Sequence, residues 1–249
     1  MNSGLFCVVE GIDGSGKSTL LHGLRAHYQS RYAPYSELVC LREPTDAAPG
    51  RAIRAHLRNE DQLTPVQWLE LFFADREINV REHILPALSA GAFIIQDRYF
   101  YSTAAYQGIL PSDTINAAEI SNDTRGSIAI ESNPDSTSHP SVETSTEATD
   151  NNYQAITPAQ IVAQSRERFP EPDVLLFLDI APEAAMQRIR NTRQNFESFE
   201  TLEQLRRIDR AYRSILPPAT VYLPANQSPE QVLATAVRAI EKSRRTLKS

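Results

Sequence analysis

Hydrophobic residues fall along the chain in short unbroken runs, separated by longer stretches in which they recur at helical spacing. Residues 5–9 (LFCVV), 37–41 (ELVCL), 93–97 (FIIQD), 174–179 (VLLFLD) and 220–223 (TVYL) read as strands. Their continuous apolar character suits a parallel sheet covered on both faces. Between them the apolar period is that of helices, the first opening near Lys17 and running to about Gln29. This alternating order predicts an α/β fold, a five-stranded parallel sheet flanked by helices. Four helix starts are explicit. Thr64-Pro65-Val66-Gln67, Thr157-Pro158-Ala159-Gln160 and Ser228-Pro229-Glu230-Gln231 each place a hydroxyl at the cap, proline at the first helical position and glutamine at the third. Thr201-Leu202-Glu203-Gln204 is the same box without proline. In each, the hydroxyl accepts from the third amide while the glutamine side chain reaches back to the cap amide.

One stretch breaks the pattern. Residues 111–152 are rich in Ser, Thr and Asn and carry eight acidic groups against one base, Arg125. They alone hold −7, so the rest of the chain stands at +1 within a net charge of −6. Such a segment cannot bury enough apolar surface to offset its ordering entropy, and a disordered acidic insertion over about 111–155 is expected. A small ordered unit around residues 115–120 and 128–130 is the rival reading. The 249 residues suffice for one α/β domain with its own core. No apolar run approaches the roughly 18 residues of a membrane span, and residues 5–9 are too short for a secretory signal, so a soluble cytoplasmic protein is expected. Cys7 and Cys40 both lie in apolar runs and are expected to be buried free thiols.

The chemistry begins where the first strand ends. Gly11-Ile12-Asp13-Gly14-Ser15-Gly16-Lys17-Ser18 fits G-x-x-x-x-G-K-[ST] between a strand and a helix. Glycines let successive amides approach phosphate oxygens at the positive end of the helix. Lys17 would neutralise the β and γ phosphates of ATP, and Ser18 would hold Mg²⁺. A cradle of this kind serves kinases, ATPases and switches alike. A GTPase would need Asn-Lys-x-Asp, and the chain contains no Asn-Lys pair. Asp97-Arg98-Tyr99 follows the third strand, at the carboxyl end where open α/β sheets place ligands. Asp97 there can orient metal-bound water and Arg98 can clamp a second phosphate, or the two can form an ordinary strand-end ion pair.

The blocks FCVVEGIDGSGKST, LREPTD, LELFFADREINV, DRYFYSTAAYQG and PDVLLFLDI, in that order, resemble the thymidylate kinases. The run from Asp97 to Gly108 is the specific one. The resemblance implies a P-loop nucleoside monophosphate kinase fold in a single domain, a homodimer, and Mg²⁺-dependent transfer from ATP to dTMP in dTTP synthesis. It extends the ATP cradle over residues 11–18 to Thr19. It implies that Phe72 stacks on thymine, with Phe73 left to the core. Arg76 and Arg98 would bind the acceptor base or its phosphate, and Asp13 would reach the 3′-hydroxyl. Tyr106 would crowd the 2′ position, Gln107 would hydrogen-bond the base edge, and Ser102 and Thr103 would line the cleft. Without the family, Phe72 reads as core and Arg76 as an exposed side chain beside Asp75.

Gly14 stands where some thymidylate kinases carry a P-loop arginine. The resemblance therefore implies a lid at about 186–199 with Arg188, Arg190 and Arg193 as catalytic arginines; a solvated basic helix face is the plain alternative. Asn195 occupies a place where many members have arginine, and the acidic insertion is longer than the family's connection. A degenerate nucleotide-binding or scaffold protein, or a kinase for another deoxynucleoside monophosphate, is the competing class.

Overall fold

A computed structural model describes residues 4–59, 63–108, 156–192 and 201–246. The expected acidic insertion and residues 193–199 of the expected lid, Arg193 among them, lie outside the described residues. Five strands, β1 (Leu5–Glu10), β2 (Leu38–Arg42), β3 (Phe93–Asp97), β4 (Val174–Asp179) and β5 (Val221–Pro224), form one parallel sheet in the order β2-β3-β1-β4-β5. The central strands are apolar and closed to solvent, as a sheet covered on both faces requires. The edge strands differ. β2 is only half-buried and β5 exposes Tyr222, because an edge strand has a neighbour on one side only. This corrects one expectation: Cys7 is a buried free thiol, but Cys40, on the β2 edge, is exposed.

The helices are α1 (Lys17–Tyr28), α2 (Ala48–Asn59), α3 (Pro65–Asn79), α4 (Leu85–Ser89), α5 (Phe100–Gln107), α6 (Pro158–Arg168), α7 (Pro182–Thr192), α8 (Leu202–Ile215) and α9 (Pro229–Thr246). The reciprocal caps expected at Thr64, Thr157, Thr201 and Ser228 are all present. Between α3 and α4 the helix widens over Val80–Ile84, where the Leu85 amide bonds the Val80 carbonyl. Pro86, which follows, has no N–H to donate, so the register shift falls where a donor is missing.

Helix α1 packs with α9, while α5, α6 and α8 pack together as a second layer. The helix after β1 thus joins one layer and the helix after β3 the other, although β1 and β3 are paired neighbours. That divergence opens a crevice at their carboxyl ends, the general ligand position in open α/β sheets. Beneath it lies a core built around Phe6, Val8, Ile12, Phe93, Ile95, Tyr99, Phe177 and Tyr212.

Candidate active site

The cradle is the loop between β1 and α1. Gly14 and Gly16 have φ of +73° and +100°, a region that L side chains rarely enter, and a Cβ on Gly14 would sit 2.4 Å from the Ala185 carbonyl oxygen. Lys17 Nζ donates to the carbonyls of Gly11 at 2.8 Å and Ile12 at 3.1 Å, leaving one of its three protons for a ligand. Burial, aided by the positive field of Arg98, pulls the Lys17 pKa down to about 8, against Asp13, Asp97 and Glu10. Ser15 Oγ is buried with no hydrogen-bond partner. The loop walls a cavity of about 650 Å³ that also takes in Thr19, Asp97 and Arg98.

Asp97 and Arg98 end β3 opposite the cradle. Arg98 adopts φ of +60°, the one positive φ outside glycine among the described residues, at a cost of about 1–3 kcal/mol. The neighbouring Gln96 holds it there, Nε2 donating to the carbonyls of Asp97 at 3.2 Å and Arg98 at 2.8 Å. The strained backbone turns the guanidinium into the crevice. There Nη2 donates to Asp13 Oδ1 at 2.5 Å and Nη1 to Ser102 Oγ at 3.1 Å. Tyr106 completes the group by donating to Asp13 Oδ2 at 2.9 Å, with Arg98 over its ring. Asp97 Oδ1 is buried without a hydrogen-bond partner, and burial raises its carboxyl pKa against Arg98, Lys17 and Arg42.

A second cavity, about 350 Å³, lies between α3, α5 and α8. Asp13, Phe72, Arg76, Arg98, Ser102, Tyr106 and Gln107 all line it. Asp13 and Arg98 line the cradle cavity as well, so the two spaces meet at that ion pair. Phe72 is half-buried beside Trp68, whereas Phe73 is buried against Phe169, as expected of a core ring. Arg76 departs from its plain reading as an exposed side chain: it is 1% exposed. Its Nε and Nη2 donate to Glu43 Oε2 at 2.9 and 2.6 Å, Nη2 also reaches Thr103, and Nη1 has no partner. Asn79 holds the other oxygen of Glu43 at 3.0 Å.

The lid arginines are placed unequally. Arg188, on α7, donates from Nη1 to the Ser15 carbonyl at 3.2 Å and from Nη2 to the Ala225 carbonyl at 2.6 Å, so it braces the cradle and walls its cavity. Arg190 follows about 200° round the helix and is exposed, away from that wall. Arg193 lies outside the described residues.

Sequence reasoning missed Glu10, Glu43, Arg207 and Tyr212. Arg207 donates to the carbonyls of Tyr106 and Gly108, closing the end of α5 that carries Tyr106 and Gln107. No local signal marked Glu10 or Glu43: Asp179 closes an equally apolar strand yet its side chain is 39% exposed, so a place at a strand end does not predict burial.

Two adjoining cavities that share an acid–arginine pair, one of them walled by a glycine cradle at a helix N-terminus, define a P-loop phosphotransferase of the nucleoside monophosphate kinase class. The family model for thymidylate kinase matches residues 9–149 and 150–236. A thymidylate kinase of Leptospira borgpetersenii is 33% identical over 232 residues, covering 92% of this chain and 89% of the relative. One of Leptospira interrogans is 32% identical over 230 residues, with 92% and 90% covered. A probable thymidylate kinase of Archaeoglobus fulgidus is 30% identical over 187 residues, with 75% and 69% covered. The chain belongs to the thymidylate kinase family.

Proposed function

We propose that this protein transfers the γ-phosphate of ATP to dTMP, giving ADP and dTDP for dTTP synthesis. The observation that carries the reading is the junction: a donor cradle and an acceptor cavity meet at Asp13 and Arg98, and the seven acceptor residues surround one space. Backbone amides of residues 11–19 and Lys17 take the donor phosphates. Arg98, beside the cradle, takes the acceptor phosphate. Arg76 commits Nε and Nη2 to Glu43 and Thr103, so its orphan Nη1 is the donor left for a carbonyl on the base. Phe72 supplies the stacking face, Gln107 the base-edge hydrogen bond, and Asp13 with Tyr106 the sugar contacts. The acceptor oxygen is already anionic, so positioning and charge neutralisation supply most of the catalysis.

Among the described residues no cluster of three His, Cys, Asp or Glu side chains offers a protein-only metal site. Ser18 on α1 and the unpartnered Asp97 Oδ1 nevertheless fit magnesium, which takes one or two protein ligands together with substrate phosphates. Mg²⁺ supplies charge neutralisation on the donor phosphates when bound. Arg188, Arg190 and Arg193 stay together as the catalytic lid arginines, Arg188 being the one that walls the donor cavity. No helix among the described residues is long and apolar enough to cross a membrane. A cytoplasmic homodimer completes the reading, and light scattering on the purified chain tests the dimer.

The direct test incubates purified protein with γ-labelled ATP and a panel of nucleoside monophosphates. Label is expected on dTMP; label on none of the monophosphates overturns the reading in favour of a nucleotide-binding scaffold. Phe72→Ala is expected to raise KM for dTMP about 5- to 150-fold, since stacking on a base is worth about 1–3 kcal/mol, with KM for ATP unchanged. Equal weakening of both substrates would return Phe72 to the core. The pH profile gives a further check. Lys17 in the free enzyme is charged below its pKa of about 8, so kcat/KM for ATP should fall as pH rises through that value. Bound phosphate favours the charged amine, so the corresponding limb in kcat should lie at higher pH. Coincident limbs would remove Lys17 from phosphate binding.

A further inference from the structure

Glu10 ends β1 immediately before the cradle and is completely buried. Its two oxygens do different work. Oε1 accepts the backbone amides of Tyr99 at 2.8 Å and Ser102 at 3.1 Å, and so caps α5, whose own cap position, Tyr99, has no side-chain hydrogen bond. Oε2 accepts the hydroxyls of Ser102 at 2.5 Å and Tyr212 at 2.9 Å. The Ser102 hydroxyl has one proton, and 2.5 Å is the length of an O–H bonded to a carboxylate. With that proton committed, the lone pairs of Ser102 Oγ face Arg98 Nη1 at 3.1 Å. Arg98 is thus held from two sides, by Ser102 on α5 and by Asp13 in the cradle, at the point where the cavities meet.

We propose that Glu10 is a positioning residue for phosphoryl transfer: through the Ser102 hydroxyl it fixes the Arg98 guanidinium on the acceptor phosphate, with Tyr212 of α8 closing the relay. The inference rests on the reading of Arg98 as the acceptor-phosphate ligand. It gives Ser102 a different part from a direct substrate contact, since its hydroxyl donates to Glu10 and accepts from Arg98. It also ties α8, which begins at Leu202 just after the expected lid, to the reaction centre through one side chain.

Glutamine separates this role from capping alone. In Glu10→Gln the side-chain oxygen must stay on the two backbone amides, because a second donor there would face two N–H groups. The new amide N–H₂ therefore points at Ser102 and Tyr212 and donates to Ser102 Oγ. The Ser102 proton is displaced from its acceptor, and a lone pair is lost to Arg98. The helix keeps its cap while the relay reverses polarity.

The test compares dTMP with thymidine, which carries the same base and sugar without the phosphate, by titration calorimetry on the full chain. Glu10→Gln is expected to weaken dTMP about tenfold, the worth of one charge-assisted hydrogen bond, with thymidine unchanged. Tyr212→Phe should shift dTMP in the same direction by a smaller factor; it removes one oxygen only, and carries the test alone if Glu10→Gln does not fold. Arg98→Met is the reference and should reduce dTMP to the affinity of thymidine. If Arg98→Met leaves the gap between the two ligands intact, the phosphate reading itself fails. If it closes the gap, but the Glu10 and Tyr212 variants leave dTMP untouched or weaken both ligands equally, Glu10 is a cap and the inference is overturned.

Discussion

Lys17→Ala is expected to lower kcat/KM for ATP-dependent transfer by at least about 10³-fold, roughly 4 kcal/mol of transition-state stabilisation. The size follows from where the ammonium sits. It is 9% exposed, held by the carbonyls of Gly11 and Ile12 at the start of α1, and is fixed in the cradle proposed for the donor phosphates by a loop that cannot easily rearrange. Charge developing on the moving phosphoryl group is met there by a cation already desolvated and in place. Burial disfavours that cation in the free protein, as its lowered pKa records, so the alanine variant should fold and melt close to the parent. A large loss of activity with an intact melting transition is therefore the expected pair of results. Transfer within tenfold of the parent would remove Lys17 from the mechanism.

The second large effect is on stability and acceptor binding together. Arg76→Met leaves Glu43 charged, 4% exposed at its side chain and without its ion partner, at an expected loss of about 3–5 kcal/mol in unfolding free energy. Burial already raises the Glu43 pKa, and Arg76 is the first of the groups opposing that rise. Without Arg76 it climbs further. A carboxyl with a raised folded-state pKa destabilises only where the unfolded chain would ionise it, so the deficit should be smallest at acid pH and grow as pH rises towards neutrality. Arg76→Met combined with Glu43→Gln removes the stranded charge and should recover most of the stability. It should not recover the dTMP affinity, because the Nη1 donor proposed for the base is still missing. Denaturant unfolding across pH, alongside KM for both substrates, separates the two roles. If the double variant regains dTMP affinity with its stability, Arg76 supports the site without touching the base.

Much of the candidate site was legible before any tertiary information, and the reason is distance along the chain. The cradle from Gly11 to Ser18 spans one turn and the start of one helix, and each cap pairs a hydroxyl with a glutamine three residues away. Interactions that short are set by covalent geometry and local hydrogen bonding. Phe72, Arg98, Tyr106 and Gln107 were named through the family's blocks, and they line one cavity. The partners were not legible. Glu43 meets Arg76 across 33 residues and Glu10 meets Tyr212 across 202, and no periodicity links such positions. Cys40 was misread because an apolar pentad looks the same at the centre and at the edge of a sheet.

Local pattern therefore decided the elements, their caps, the phosphate loop and the alternation that makes a parallel sheet unavoidable. Strand order decided the rest. Placing β3 beside β1 puts Arg98 opposite Asp13, buries Glu10 under α5 and leaves β2 half open. Only packing brings such distant groups together and strips them of water. That desolvation turns ordinary side chains into a lysine of lowered pKa, an orphan guanidinium nitrogen and an unpartnered carboxylate oxygen.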